Sequence, residues 1–283
     1  MKVIDQTLLE KVIIERSRTS HKGDYGRLLL LGGTYPYGGA IIMATMAAVR
    51  SGAGLVTVGT DRENIPALHS NIPEAMGFSL QDKVLLAEQI EKAEVILLGP
   101  GLVDNEGDAR LLRQVFERVQ HNQIVILDGG ALSILARTKI PFPPSQLILT
   151  PHQKEWEGLS GIAMDHQNTE TTAEALSAFP QNTILVQKGP RTRIWQAGQE
   201  DYYQLEVGGP YQATGGMGDT LAGMIAAFAG QFPQVSLYER VAVATHLHSA
   251  IAADLAQENY VVLPTMISQV IPIFMKKLGQ DSN

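Results

Sequence analysis

Three glycines and an aspartate stand in the stretch Thr214-Gly215-Gly216-Met217-Gly218-Asp219, and Leu221-Ala222-Gly223-Met224-Ile225-Ala226 follows almost at once. Lacking β-carbons, Gly215, Gly216 and Gly218 let backbone N–H groups turn toward one point, and the apolar run predicts a helix over 221–229. Free N–H groups at a helix N-terminus form an anion site. Gly215, Gly216, Met217 and Gly218 are therefore the candidate anion hole. A carboxylate beside such a hole repels a phosphate, so Asp219 makes sense there if it takes a proton from a hydroxyl that attacks the phosphate. That chemistry needs a phosphoryl donor and an alcohol. On this stretch alone a second reading stays open: Asp219 is a cap acid favoured by the helix dipole, and the glycines merely pack closely.

Other residues that could serve such chemistry recur at the ends of apolar runs. Gly32-Gly33-Thr34 follows Leu28-Leu29-Leu30-Leu31, Gly99-Pro100-Gly101 follows Val95-Ile96-Leu97-Leu98, and Asp128-Gly129 follows Ile124-Val125-Ile126-Leu127. Thr150-Pro151-His152 follows Leu147-Ile148-Leu149, and Lys188-Gly189 comes just after Ile184-Leu185-Val186. Continuous apolar runs bounded in this way predict strands buried on both faces. Leu55-Val56-Thr57-Val58 predicts another, and helices expected over 38–50, 82–92 and 109–119 alternate with them. Shorter, more polar runs at Ile194-Trp195 and Tyr202-Tyr203 suit an antiparallel edge hairpin. The expected fold is α/β, with a mostly parallel central sheet covered by helices on both faces. No linker, repeat or low-complexity tract divides the chain, so 1–283 is expected to be one domain. Ligands of open α/β sheets bind outside the carboxyl ends of strands. Singly, these residues are a turn, a helix cap or a solvated charge; together they gather on one edge.

Composition narrows the partner. The balance of 22 Lys and Arg against 29 Asp and Glu gives a net charge of -7, and no dense basic run is present, which argues against nucleic acid. A small-molecule substrate is expected. The absence of cysteine excludes a disulfide framework, a thiolate metal site and a thiol nucleophile. Asp5, Glu10 and Glu15 interrupt the N-terminal apolar pattern, unlike a secretory signal, and no uncharged apolar run approaches the roughly 18 residues of a membrane span. A soluble, cytoplasmic protein without membrane contact is expected.

One combination of motifs carries a resemblance: Gly38-Gly39-Ala40, Gly52-Ala53-Gly54-Leu55-Val56, Gly99-Pro100-Gly101-Leu102, Leu149-Thr150-Pro151-His152-Gln153-Lys154-Glu155, Lys188-Gly189 and Thr214-Gly215-Gly216-Met217-Gly218-Asp219. From about His21 onward the chain resembles the ADP-dependent NAD(P)H-hydrate dehydratase family of the ribokinase-like superfamily, in its free-standing form. The glycine motif alone is shared by many small-molecule kinases; Thr-Pro-His-x-x-Glu together with Gly-Gly-Met-Gly-Asp is more specific. The resemblance implies a repair enzyme that removes water from the S-epimer of hydrated NADH or NADPH (NADHX, NADPHX), with ADP as co-substrate and AMP and phosphate as products. It implies that Ala40, Gly101, His152 and Asp219 contact the hydrated dinucleotide, with Asp219 as general base. Lys188, Gly189, Pro190, Arg191, Thr192 and Gly218 line the ADP side. Glu155 orients Mg2+, through water, and Asp128 assists there. A homotetramer is the family's common assembly. Two positions depart from the family pattern: Thr220 replaces a usual aliphatic residue, and Pro190-Arg191 makes the nucleotide loop bulkier.

Two rivals come from other classes. A ribokinase-like kinase of a thiazole or pyrimidine alcohol shares the glycine motif, but the pyrimidine kinases usually carry a cysteine in it. A non-catalytic nucleotide sensor needs no base such as Asp219. His246 and His248 are two residues apart in an apolar stretch, a spacing that does not share a helix face, so core or interface histidines are expected rather than a metal pair.

Overall fold

The computed structural model describes residues 1–280; positions 281–283 of the expected domain lie outside the described residues. The strands are β1 (Arg27–Leu31), β2 (Leu55–Thr60), β3 (Met76–Ser79), β4 (Val95–Leu98), β5 (Ile124–Leu127), β6 (Gln146–Leu149), β7 (Ile184–Gln187), β8 (Arg193–Gln196) and β9 (Tyr203–Gln204). They form one sheet in the order β3-β2-β1-β4-β5-β6-β7-β8-β9. Pairing is parallel from β3 through β7. At the far edge β8 and β9 pair antiparallel, as the polar runs there predicted.

Alternation within the continuous apolar runs divides the core in two. Leu28 and Leu30 of β1, Val95 and Leu97 of β4, and Ile184 and Val186 of β7 enter one cluster, while Leu29, Leu31, Ile96, Leu98 and Leu185 enter the other. Successive side chains of a strand point to opposite faces, so a strand covered on both faces is apolar throughout. The first face is covered by α1 (Gln6–Val12), α2 (Gly38–Arg50) and α3 (Ile65–Asn71). The second is covered by α4 (Lys83–Lys92), α5 (Glu106–Phe116), α6 (Gly130–Thr138), α7 (Gln153–Ser160) and α8 (Thr169–Leu176). The chain then returns to the first face with α9 (Met217–Gly230), α10 (Leu237–Leu255) and α11 (Pro264–Gln280).

Two helix starts move by three residues or more, and one strand is added. α5 starts at Glu106 instead of 109, because Asn105 Oδ1 accepts from Asp108 N at 2.9 Å and so caps a polar first turn, and it ends at Phe116 instead of 119. β3, which was not expected, adds the sequence Met-Gly-Phe-Ser beside β2; at the edge it needs no continuous apolar run. α9 starts at Met217, four positions before 221, and this places Gly218 and Asp219 inside its first turn.

Parallel order brings the carboxyl ends of β1, β4, β5, β6 and β7 to one edge. α9 reaches that edge by crossing α2 closely at Gly223, where a β-carbon would overlap the Ala44 carbonyl oxygen. The small residues of α9 thus set the height of its N-terminus over the strand ends.

Candidate active site

Gly216 opens α9 in the left-handed conformation (φ 92°) and stands at its N-cap without a side-chain cap bond. The Thr220 N–H reaches Gly216 O at 3.0 Å, whereas the N–H groups of Met217, Gly218 and Asp219 precede the first full turn and lack intrahelical acceptors. Gly215 lies just before the cap, with open space where a β-carbon would stand. Since the cap is Gly216, Asp219 is not the N-cap of α9. Burial raises the Asp219 carboxyl to about 7; the charge of Asp128 adds to the rise, Lys188 and the residue's own N–H oppose it, and Glu155 adds a little. A carboxyl titrating there is matched to accept a proton at neutral pH.

Beneath this turn lies one ammonium among three carboxylates. Lys188 Nζ donates to Asp128 Oδ1 at 2.9 Å and stands 4.0 Å from Glu155 Oε2. Thr150 Oγ1 donates to the same Asp128 oxygen at 2.6 Å. A β-carbon on Gly218 would stand 3.3 Å from Lys188 Nζ, which places the ammonium directly under the helix end. Burial lowers the affinity of Lys188 for its proton, but Asp128 and Glu155 outweigh it and the net shift is upward. Lys188 is therefore charged. Burial also lifts Glu155 to about 7 against the pull of Lys188.

His152 and Glu155 cap α7 reciprocally. His152 Nδ1 accepts from the N–H groups of Lys154 and Glu155, each at 3.1 Å, and Glu155 Oε2 accepts from His152 N at 2.8 Å. The bland expectation for His152, a helix cap, therefore holds structurally. Burial and then Lys188 push its imidazole downward, and with Nδ1 accepting, the neutral ring carries its proton on Nε2.

Ala40 and Gly101 meet on the β1 and β4 side: a β-carbon on Gly101 would lie 3.1 Å from the Ala40 β-carbon. Thr34 N donates to Gly101 O at 2.9 Å and stitches the two strand ends together. On the other side, Lys188, Gly189, Pro190 and Arg191 line a cavity of about 320 Å³. Thr192 Oγ1 donates to Gly189 O at 3.2 Å and closes that loop. The sequence reading missed Gln153, Gln167 and Arg193 on the same cavity wall, and missed Thr150, although Thr150 stands within the motif that drew attention to His152. The larger cavity, about 690 Å³, opens at the opposite end of β1 and β2 between Ile13, Tyr25, Gln231 and Met275 and contains none of the expected site residues. His248 is a core residue, pushed by burial to about 4 and placed behind the Met217 backbone. Among the described residues no three His, Asp or Glu side chains are grouped to hold a metal ion.

The family model for NAD(P)H-hydrate dehydratase matches residues 28–273. The chain belongs to this family. An ADP-dependent (S)-NAD(P)H-hydrate dehydratase of Streptococcus pneumoniae is 76% identical over 281 residues, 99% of this chain and 97% of the relative. One of Streptococcus thermophilus is 54% identical over 98% of this chain and 99% of its own. Among solved structures, a ribokinase-like superfamily protein of Enterococcus faecalis superposes with a TM-score of 0.94 at 41% identity, over 99% of this chain and 96% of that one. The Bacillus subtilis ADP/ATP-dependent NAD(P)H-hydrate dehydratase, co-crystallised with ATP and Mg2+, gives 0.81 at 29% identity over 97% of both chains. The ribokinase-like fold expected from the motifs is therefore the fold of this family member.

Proposed function

We propose that this chain dehydrates the S-epimer of hydrated NADH and NADPH at the expense of ADP, giving NAD(P)H, AMP and phosphate. The observation that carries the reading is Asp219, a partly buried carboxyl lifted to about 7 within the first turn of α9, beside that turn's free N–H groups. Hydroxide is the conjugate base of water, of pKa about 15.7, and is a poor leaving group; a phosphate monoester, with a second pKa of about 6, is a good one. Asp219 takes the proton of the C6 hydroxyl as its oxygen bonds to the β-phosphorus of ADP and the bond to AMP breaks. The N–H groups of Met217 and Gly218, with those of Gly215 and Gly216 ahead of them, and Lys188 stabilise the charge on the phosphoryl oxygens in transit. The ring-nitrogen lone pair then expels phosphate from C6, and loss of a C5 proton restores the C5–C6 double bond.

Ala40, Gly101 and His152 hold the hydrated dinucleotide, and the loop of Lys188, Gly189, Pro190, Arg191 and Thr192 holds ADP with Gly218. The donor set does not fit a cation bound directly by protein side chains, because Asp128 is taken up by Thr150 and Lys188. It fits Mg2+ held through water at Glu155 and by nucleotide phosphates, the usual habit of that ion. When bound there, Mg2+ neutralises phosphate charge. The whole of 1–283 acts as one cytoplasmic domain assembled as a homotetramer. Among the described residues no helix is long and apolar enough to cross a membrane.

Hydration of the ring abolishes the near-ultraviolet absorbance of NADH, so purified protein supplied with hydrated NADH, ADP and Mg2+ restores that absorbance while AMP and phosphate accumulate. If absorbance stays flat under these conditions, the dehydratase reading fails.

A further inference from the structure

We infer that Asp128 is a positioning residue of this site, holding the Lys188 ammonium under the first turn of α9 so that the lysine faces the anion hole and does not pair with Asp219. The inference rests on the proposed role of Asp219 as base.

Three neighbouring strand ends supply the arrangement: Asp128 after β5, Thr150 after β6 and Lys188 after β7. One oxygen, Asp128 Oδ1, accepts from Thr150 at 2.6 Å and from Lys188 at 2.9 Å. The Asp128 side chain is 3% exposed and that of Lys188 20% exposed, so water competes little for either group. An ammonium has three N–H donors. Asp128 takes one, Glu155 stands further away at 4.0 Å, and a donor remains for a phosphoryl oxygen beside Gly218. Thr150 makes the distribution one-sided, because its hydroxyl fixes the carboxylate that the lysine must meet.

The alternative partner is Asp219. Its surroundings contain Asp128 and Glu155 as like charges and Lys188 as the opposing one; His152, at the cap of α7, is neutral, and His248 of α10 lies behind Met217, also neutral. A lysine paired directly with Asp219 would favour the ionised carboxylate and strip the base of its affinity for a proton. With Asp128 present, Lys188 can help bind the anion without silencing the base.

The test follows the Asp219 carboxyl by carbon-13 resonance in protein labelled at aspartate, assigned by its loss in Asp219→Asn, with no ligand added. In the native protein it titrates near 7. In Asp128→Asn, which keeps the shape and an accepting oxygen but not the charge, its midpoint falls by roughly one pH unit or more, the scale on which a neighbouring charge acts. The acid limb of the kcat/KM profile for the dehydration moves down with it. Lys188→Met moves the midpoint the other way. Should Asp128→Asn not fold, Asp128→Ser removes the same charge with a smaller side chain and carries the same expectation. The direct loss of a like charge lowers the midpoint by itself, so the same substitution is read in the Lys188→Met background. Positioning predicts a clearly larger fall with the lysine present than without it, and a midpoint that stays in place, rises, or falls equally in the two backgrounds overturns the inference. Because the resonance is read without substrate, an absence of dehydratase activity in native protein overturns the proposed reaction and leaves this test standing.

Discussion

The proposed reaction concentrates its proton transfer in Asp219, and the environment of that carboxyl gives two opposite expectations for one substitution. Asp219→Asn retains the anion hole, so ADP affinity by calorimetry stays near native while turnover falls by about 10²–10⁴-fold, the range for a general base. The same variant is more stable than the native chain at pH 8. A carboxyl whose pKa rises from 3.8 to about 7 on folding supports the fold fully below pH 3.8 and loses that support as pH climbs through 7. The amide has no charge to bury. A gain on the order of 1–4 kcal/mol in chemical denaturation at pH 8 is expected, shrinking toward pH 4; a variant less stable than native at pH 8 contradicts it. Lys188 is expected to act on the nucleotide: Lys188→Met weakens ADP binding while dinucleotide binding measured alone is nearly unchanged. The reverse pattern would exchange the two pockets.

At the scale of the element, the position of the anion hole depends on how closely two helices approach. Gly223 lets α9 lie against the Ala44 carbonyl of α2, and the Met43 side chain packs at Gly216, the first residue outside α9. A side chain at 223 must push the helices apart, at a cost of about 1–3 kcal/mol, as overpacking of a tight core does. Gly223→Val therefore lowers the thermal midpoint and, by lifting the N-terminus of α9 off the strand ends, weakens ADP binding as well. Gly77→Ala, on the edge strand β3, is the control: a β-carbon there would lie 3.1 Å from Leu68 Cδ2 and β3 carries none of the site residues, so ADP affinity is retained. Equal ADP affinity in the two variants would show that the crossing does not set the site.

Across the whole molecule, ionisable groups shifted by partial or full burial pull stability in different directions with pH. Asp219 and Glu155, both lifted to about 7, take away stability as pH rises from their ordinary values toward 7. His248, pushed down to about 4, takes it away as pH falls from 6.5 toward 4. Asp219 and Glu155 outweigh His248 over this range, so these three groups together favour pH 5.5 over pH 8, while the imidazoles of His152 and His246, also pushed down, subtract from that difference. Urea denaturation at the two values checks the sign. The double variant Asp219→Asn, Glu155→Gln reduces the difference. ADP acts in the same balance, since a ligand that binds only the folded chain adds about 2.7 kcal/mol at 100 times its Kd, and Lys188→Met reduces that increment at any fixed ADP concentration.

The elements were legible in the sequence because their signals are local. Strands buried on both faces leave unbroken apolar runs such as Leu28-Leu29-Leu30-Leu31, and a glycine cluster ahead of an apolar helix marks the start of α9, where the proposed anion hole lies. The motifs also carried the family, which the match over residues 28–273 shows. The start of α9 was misplaced to 221 because propensity reads Gly216, Met217 and Gly218 as loop, whereas the left-handed turn at Gly216 begins the helix at once. What only the tertiary structure decided is how the charges divide. Thr150 and Asp128 are 22 residues apart, and Lys188 and Asp128 are 60 apart, and no local pattern says which of three carboxylates receives the one ammonium. Parallel pairing of β5, β6 and β7 decides it, because it brings those three strand ends side by side, where Asp128 receives the Lys188 ammonium and the Thr150 hydroxyl on one oxygen.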